Sequence, residues 1–509
     1  MALSAPTIDA ARRMLERARC ATADLAELRL DHLTEASALL DANSAVFAAL
    51  CRLVRERPLP LILTLRPEEE GGRCSFALAD RARFWGQLRA HGAMPEFIDL
   101  ELELVEALRA DDLGWSSVIC SHHDLLGAME DLDALYERMA RTPARIIKIA
   151  VTAHDALDCL PLFRLLERAQ RERRELIAIA MGTGGIATRL LAHGAFLTYA
   201  SLERGGGTAP GQVWIEDLIE SYRLRSIERR TPLYGVIGAP IGHSLSPAMH
   251  NRALIEAGLR GVYVPFETGD GRAFIRRLLH PQTREVDWHW RGLSVTAPHK
   301  ESVIECMDEL DEVAQRTGAV NTVVVRGREL HGYNTDVEGF LAPLRGLLDL
   351  AGARAAVIGA GGAARAAAWA LRRAGAEVVL FARSPERARL LARAFELDVA
   401  RLAGARFSSF DLVVNTTPLG TRGAHEDGSP VDAEQLRGAR IAYDMVYNPP
   451  ETRFIRQARQ VGCRTVGGLH MLVEQAAWQF ELWTGRSAPR QAMLEAARQA
   501  LSERSARDE

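Results

Sequence analysis

Short apolar runs recur through residues 25–200, and the intervals between them are too long for hairpins. The runs are Leu25–Asp31, Leu59–Arg66, Phe97–Glu103, Ser117–His123, Ile146–Val151, Leu176–Met181 and Phe196–Ala200. The intervals carry helical patterns, such as Asp155–Glu175, apolar at i, i+3 and i+4 with Arg and Glu opposite. Strand alternating with helix implies parallel strands joined by crossover helices. Seven strands are clear, and the clipped stretch Ala2–Ala5 supplies an eighth. A (β/α)8 barrel is the leading reading, with an open seven-strand sheet as the alternative.

A barrel enzyme gathers its chemistry at the C-terminal ends of its strands. Those ends here carry Glu27, Arg29 and Asp31, then Arg66, Glu101, His122, His123 and Lys148, with Arg189 and Gln212 after the last strands. Lys148 stands apart. Of 63 Lys and Arg residues, two are lysines, Lys148 and Lys300. A guanidinium stays protonated at working pH, whereas an amine can lose its proton and act as a nucleophile or proton donor. Ile146, Lys148 and Ala150 share one strand face, while Ile147, Ile149 and Val151 share the other and suit packing against helices. Lys148 is therefore expected on the inner side of the barrel, where burial would lower its pKa. There it could attack a ketone and form a Schiff base whose iminium acidifies the neighbouring C–H. His123, one strand earlier, is the candidate base.

Glu27-Leu-Arg-Leu-Asp31, Thr64-Leu-Arg66 with Glu70-Gly-Gly, Ser121-His-His-Asp124, Ile147-Lys-Ile-Ala150 and Ala209-Pro-Gly-Gln212 resemble, in order, the type I 3-dehydroquinate dehydratase family over about residues 1–222. The resemblance implies Lys148 as the Schiff-base lysine and His123 as the general acid/base. It implies that Glu27, Arg29, Arg66, Arg189, Thr208 and Gln212 hold the substrate, with Glu70 close to the histidine. Arg189 also suits a carboxylate on physical grounds, because its fork binds bidentately. Two positions depart from the family pattern: only a stub of strand precedes Thr7, and Thr208 stands where Ser is frequent.

The charged stretch Ser221–Thr231, followed by Pro232, reads as a short linker. Beyond it, a strand runs into a Gly/Pro turn with Ser244 and Ser246 before a helix, and such serines are most often caps. Lys300 closes the alternating run Leu293–Lys300, and Asn321 and Asp336 fall in loops. The clearest cofactor signal is Ala355-Ala-Val-Ile-Gly359-Ala-Gly361-Gly-Ala-Ala364, a strand, a glycine turn and a helix start that fit G-x-G-x-x-A. The next strand, Glu377–Phe381, ends in Ala382-Arg383-Ser384 where NAD-selective folds place an acid. Arg383, with Arg387 one turn on, favours a 2′-phosphate and hence NADP.

Ser244-Leu-Ser246-Pro, Val295-Thr-Ala-Pro-His-Lys300, Val320-Asn-Thr, Asn334-Thr-Asp336, the Gly359 loop, Asp444-Met-Val-Tyr-Asn-Pro449 and Gly468-Leu-His-Met-Leu-Val-Glu-Gln475 resemble the shikimate dehydrogenase family over about residues 232–505. The resemblance implies a catalytic pair, Lys300 and Asp336. It implies substrate contacts from Ser244, Ser246, Thr296, Asn321, Tyr447 and Gln475. Gly359, Ala360, Gly361, Gly362, Ala363, Arg383, Ser384, Arg387, Met445 and Gly468 would line the cofactor. Ser294 and Ala382 stand where the family often has Asn, which would loosen substrate and cofactor contacts respectively.

Net charge of −3 and the lack of an apolar run of membrane-spanning length argue against nucleic-acid and membrane roles. Seven scattered cysteines without a C-x-x-C pair read as reduced thiols, with no metal site, in a cytoplasmic protein. The expected organisation is a barrel over 1–228, a substrate lobe over 232–345 completed by 475–505, and a Rossmann-like NADP lobe over 346–474. The expected partners are small molecules: 3-dehydroquinate, 3-dehydroshikimate and shikimate, handled in two consecutive steps. The alternatives are a quinate/shikimate dehydrogenase with an impaired barrel, and a non-catalytic quinate-sensing regulator, which would have no need of two amines.

Overall fold

The computed structural model describes residues 1–109, 114–127, 131–205 and 207–508, with backbone alone at 385, 387 and 506–508. Seven parallel strands follow one another in chain order in the first sheet. They are β1 Ala2–Ser4, β2 Ala26–Arg29, β3 Leu61–Thr64, β4 Phe97–Glu101, β5 Val118–Asp124, β6 Ile146–Thr152 and β7 Glu175–Met181. The expected last strand, Phe196–Ala200, is mostly irregular. Phe196 N donates to Leu176 O at 2.8 Å, and the chain then reaches β8 (Ala200–Ser201), which pairs with β9 (Val213–Trp214) and packs beside β1.

The interior decides between barrel and open sheet. Ala2, Ile62, Ile119, Ile146, Ala150, Ile177, Ile179 and Tyr199 form one buried cluster. In a flat sheet β1 and β7 would lie roughly 29 Å apart, six strand spacings of about 4.8 Å. Closure is shown where Lys148 on β6 reaches Glu27 on β2 at 3.3 Å and where the segment 196–201 bonds β7 at Phe196 and packs beside β1 at its far end, so the sheet is a barrel with that segment in its eighth position.

Two expectations, one strand and one helix, shift in detail. The run Leu25–Asp31 stops as a strand at Arg29, and Leu30–His32 tightens into a 3-10 turn. The stretch Asp155–Glu175 divides into a turn, Ala156–Cys159, capped by the Asp155 carboxylate, and a helix, Leu160–Glu172, while Glu175 already belongs to β7. The segment after the barrel is fastened down: Arg223 donates to Leu259 O (3.1 Å) and Gly261 O (2.9 Å), and Tyr222, Leu224 and Ile227 pack against the core.

The second sheet contains β10 Leu233–Gly238, β11 Val262–Glu267, β12 Trp290–Val295, β13 Glu309–Leu310, β14 Thr322–Arg326 and β15 Glu329–Tyr333, in the order β11-β10-β12-β14-β15-β13. The third contains β16 Arg354–Ile358, β17 Glu377–Ala382, β18 Asp398–Arg401, β19 Leu412–Asn415, β20 Ile441–Asp444 and β21 Arg464–Val466. Its parallel order, β18-β17-β16-β19-β20-β21, reverses direction at β16, and the crevice at that switch point is where such sheets bind dinucleotides. The helices Gly468–Thr484 and Arg490–Asp508 return from the third sheet to pack on Ser246–Glu256. One hydrophobic cluster spans the barrel helices and the second sheet, including Phe163 and Trp288, whose rings meet edge to face at 4.9 Å.

Candidate active sites

Lys148 lies mid-strand in β6 and is 4% exposed. An ammonium stripped of water needs compensating charge. The barrel supplies it from two other strands: Nζ donates to Asp99 Oδ2 at 2.7 Å and to Glu27 Oε2 at 3.3 Å. Tyr199 closes the cage, its ring centroid 4.7 Å from Nζ. The amine thus sits in a carboxylate cage on the barrel's inner side, where the strand alternation places it.

Burial opposes ionisation of Asp99, but Arg66 and Lys148 outweigh it and hold the carboxyl well below its ordinary range. Arg66 donates to Asp99 Oδ1 (2.6 Å), Ser121 Oγ (2.8 Å) and Glu70 Oε2 (2.8 Å). His123 Nδ1 lies 2.9 Å from the same Glu70 oxygen. Burial pushes Glu70 up to about 7 despite Arg66. Burial, with Arg66 and Lys148 adding to it, pushes His123 well below its ordinary value. The pair is therefore a neutral imidazole oriented by a carboxyl that titrates near neutrality, a suitable proton shuttle. His123 pairs in register with Ala150, so it stands one inward position beyond Lys148 along the neighbouring strand.

Arg189, in the short helix Ile186–Leu190 after β7, is 2% exposed. Its Nη2 reaches Pro210 O at 3.4 Å, and its Nε and Nη1 are buried with no hydrogen-bond partner among the described residues. Burial pulls its pKa down to about 10. Unmet donors on a buried cation are costly, and an arriving carboxylate would satisfy them. Thr208 and Gln212 bond each other, Nε2 to Oγ1 at 3.0 Å and backbone N to Oε1 at 3.1 Å. Their loop is pinned to the end of β7 by Gly182 N donating to Pro210 O at 3.1 Å. Gly211, at φ +76°, packs against the Gly182 backbone, where a Cβ would collide.

Three strand-end residues have partners within the protein. Arg29 chelates Asp31 through Nε (2.8 Å) and Nη2 (2.7 Å). Glu101 pairs at 2.8 Å with Arg81, from the helix Leu78–Ala90. His122 lies 3.8 Å from Glu70 Oε1 and is the more exposed of the two histidines. The residues that sequence reasoning missed are Asp99, Ser121 and Tyr199. Asp99 carries the same signal as Lys148, a charge in mid-strand between apolar neighbours on the inward phase of Phe97, Asp99 and Glu101.

The second lysine forms a second cage. Lys300 Nζ donates to Asp336 Oδ2 at 2.6 Å. Asn321 donates through Nδ2 to Asp336 Oδ1 (2.8 Å) and Thr335 Oγ1 (3.0 Å), and its Oδ1 accepts from Thr335 N (2.8 Å) and Thr322 Oγ1 (2.7 Å). Gln479, also missed from sequence, donates to Asn321 O (3.1 Å) and Thr322 Oγ1 (3.0 Å) and accepts from Ser294 Oγ (2.8 Å). Tyr263 OH donates to Ser294 Oγ at 2.7 Å. Ser294, expected to loosen this region, is thus tied into a buried network behind the Lys300–Asp336 pair.

Ser244 Oγ accepts from Ser246 N at 3.2 Å at the start of Ser246–Glu256, so it serves partly as a cap. Arg504 holds this loop by donating to His243 O (2.6 Å) and Ser244 O (3.0 Å). Half-buried Tyr447 faces Arg504; burial raises its pKa and the arginine opposes this. Thr296 follows β12, its N donating to Ile237 O at 3.0 Å. Gln475 donates to Leu472 O at 2.8 Å and packs against Gly339, which has no room for a Cβ.

The residues at the switch point fit a dinucleotide. Gly359 follows β16 at φ +131°, and Gly361 and Gly362 have open space where a Cβ would stand. The helix Gly362–Arg373 starts there, and Ala360 to Ala363 are exposed. Its first N–H groups lack intrahelical acceptors and face outward for phosphate. Arg383 is exposed at the end of β17, and Ser384 donates to Glu386 at 2.8 Å. The side chain of Arg387 lies outside what the structure describes. Gly468 N donates to Val446 O at 3.3 Å, and its Cα packs against the Met445 carbonyl.

Comparison with known proteins finds relatives for both halves of the chain. The family model for type I 3-dehydroquinase matches residues 1–229. The model for the shikimate dehydrogenase substrate binding domain matches 236–323, and that for the shikimate 5'-dehydrogenase C-terminal domain matches 468–498. The chloroplastic bifunctional 3-dehydroquinate dehydratase/shikimate dehydrogenase of Arabidopsis thaliana is 34% identical over 92% of this chain and 79% of its own length. The NADP(+) shikimate dehydrogenase of Moorella thermoacetica is 44% identical over 54% of this chain and 95% of its own length. A crystal structure of a shikimate dehydrogenase in complex with NADP+ aligns with a TM-score of 0.51 at 32% identity, covering 54% of this chain and 97% of that one. The chain belongs to the family of bifunctional 3-dehydroquinate dehydratase/shikimate dehydrogenases.

Proposed function

We propose that Lys148 and Lys300 each carry one of two consecutive reactions, the dehydration of 3-dehydroquinate to 3-dehydroshikimate and its reduction to shikimate. In the first, the Lys148 nitrogen adds to the substrate ketone and water leaves, giving an iminium. The Asp99–Glu27 cage that holds the ammonium also holds the iminium, because both carry one positive charge at the same place. His123, oriented by Glu70, takes the proton from the adjacent carbon and returns one to the departing hydroxyl. Water then releases the enone. Arg189 receives the substrate carboxylate, while Glu27, Arg29, Arg66, Thr208 and Gln212 contact its hydroxyls and carboxylate.

The second reaction would take its hydride from NADPH held at the switch point of the third sheet. Lys300 gives a proton to the carbonyl oxygen as it becomes an alkoxide, and Asp336 keeps the amine aimed. Asn321 holds Asp336 in place, and Ser244, Ser246, Thr296, Tyr447 and Gln475 face the substrate. Gly359 to Ala363 would hold the pyrophosphate of NADPH, Met445 and Gly468 would line its site, and Arg383, Ser384 and Arg387 would attract its 2′-phosphate. The working units are 1–228, 232–345 with 475–505, and 346–474, and the compartment is the cytoplasm.

One observation supports this reading above the others. In a chain that uses arginine for nearly every cation, both lysines are bonded to carboxylates inside the two sites. Lys148→Arg is expected to abolish dehydration and spare NADP-dependent reduction, and Lys300→Arg to do the reverse. Assay of both reactions on each purified variant tests this; a variant that retains its own reaction would refute the role of its amine.

A further inference from the structure

Asp155 sits on the segment that leaves β6, the strand of Lys148, yet its carboxylate reaches across to the other half of the chain. Its Oδ1 accepts from Leu157 N at 2.9 Å and caps the following turn. Its Oδ2 accepts from Thr268 Oγ1 at 3.0 Å and from Gly269 N at 2.7 Å. The barrel fixes this carboxylate from its own side. Asp155 N donates to Asp158 at 2.9 Å, and Gly184, after β7, lies so close that a Cβ there would stand 2.7 Å from Asp155 N.

The far side of the contact leads to the second lysine. The Thr268 carbonyl accepts from His299 Nε2 at 2.7 Å. Thr268 and His299 are both buried, at 1% and 3% exposure. Gly271 presses on the His299 ring, where a Cβ would come within 2.8 Å. His299 N donates to Thr296 O at 3.0 Å and His299 O accepts from Val303 N at 3.1 Å, so the ring anchors the turn that carries Thr296 and Lys300. The chain of contacts is Asp155, Thr268–Gly269, His299, Lys300, and it crosses an interface already closed by Phe163 and Trp288.

We propose that Asp155, a residue of the dehydratase barrel, is a positioning residue for the reductase reaction, holding the Thr268–Gly269 turn against which His299 orients Lys300. The inference rests on the role given to Lys300 above. It makes the second activity depend on a barrel side chain outside the dehydratase site.

The test is steady-state kinetics of both reactions on the full chain for Asp155→Ala, Thr268→Val, Thr268→Ser and Lys300→Arg, with melting temperatures. Asp155→Ala and Thr268→Val should lower kcat for shikimate oxidation roughly tenfold, the scale of a displaced catalytic group. The KM for NADP and the dehydratase constants should stay within about twofold. Thr268→Ser should restore the wild-type rate, because it keeps the hydroxyl. The proposal is overturned if Asp155→Ala leaves shikimate oxidation unchanged, if both reactions slow and the NADP KM rises together, or if Thr268→Ser is as impaired as Thr268→Val. An active Lys300→Arg enzyme would instead refute the role of the lysine, a separate outcome.

Discussion

Lys148 Nζ and Asp99 Oδ2 lie 2.7 Å apart, joining the inner faces of β6 and β4 across the intervening strand. Asp99 also takes Arg66 and Ser121, so one carboxylate organises the centre of the barrel. Asp99→Asn keeps the shape and removes the charge that steadies an iminium. Dehydratase kcat should fall about 100-fold, with reduction unaffected. The ultraviolet absorbance of the enone product measures the first, and NADPH absorbance the second.

Glu70 links pH to both rate and stability. Burial lifts its pKa to about 7, so kcat/KM for dehydration should decline below about pH 7 as the carboxyl beside His123 takes a proton. Glu70→Gln should flatten that limb and lower the plateau. The stability effect has the opposite sense. A carboxyl with its folded pKa above its unfolded value stabilises the fold at pH below about 4.5, and that contribution is lost as pH rises through about 7. The variant should therefore gain stability over wild type as pH goes from 5 to 8, approaching about 3 kcal/mol at most, seen as a rising difference in melting temperature. Equal gains at both pH values would contradict the assignment.

Arg189 offers a trade between binding and stability. Two of its nitrogens are buried without partners among the described residues. Arg189→Met should raise KM for 3-dehydroquinate about 100-fold, since the substrate carboxylate loses its fork. The same change removes an unpaired buried charge and should raise the melting temperature of the ligand-free protein. A lower melting temperature would show that the guanidinium is satisfied at rest.

The strand phase made Lys148 legible, because a polar residue flanked by Ile147 and Ile149 can face only inward. Asp99 had the same mid-strand pattern beside Glu101 on the same phase, and only the side-chain geometry of the folded barrel shows that Asp99 meets Lys148 while Glu101 meets Arg81. Arg29 and Asp31 looked like two mouth residues, but a 3-10 turn folds them onto each other. The barrel was legible in the strand–helix alternation, but the way it closes was not. Its eighth position is filled by a segment held through Tyr199 and Phe196 side chains rather than a full ladder. Gln479 was hidden because a glutamine on a helix carries no periodic signal, and its partners, Ser294 and Asn321, are far away in sequence.

Cofactor choice turns on Arg383, exposed where β17 ends. Arg383→Ala should raise KM for NADPH about 10- to 30-fold, the cost of one phosphate contact, and leave KM for NADH nearly unchanged. An equal loss with both cofactors would place the arginine on the pyrophosphate instead.

The Schiff base at Lys148 can be trapped. Borohydride added during turnover of 3-dehydroquinate reduces an iminium to a stable secondary amine, and intact mass spectrometry counts the adducts. One adduct is expected on the wild-type chain, mapped to the peptide containing Lys148, and none on Lys148→Arg; an adduct that survives that substitution, or none on the wild-type chain, would contradict covalent catalysis by Lys148.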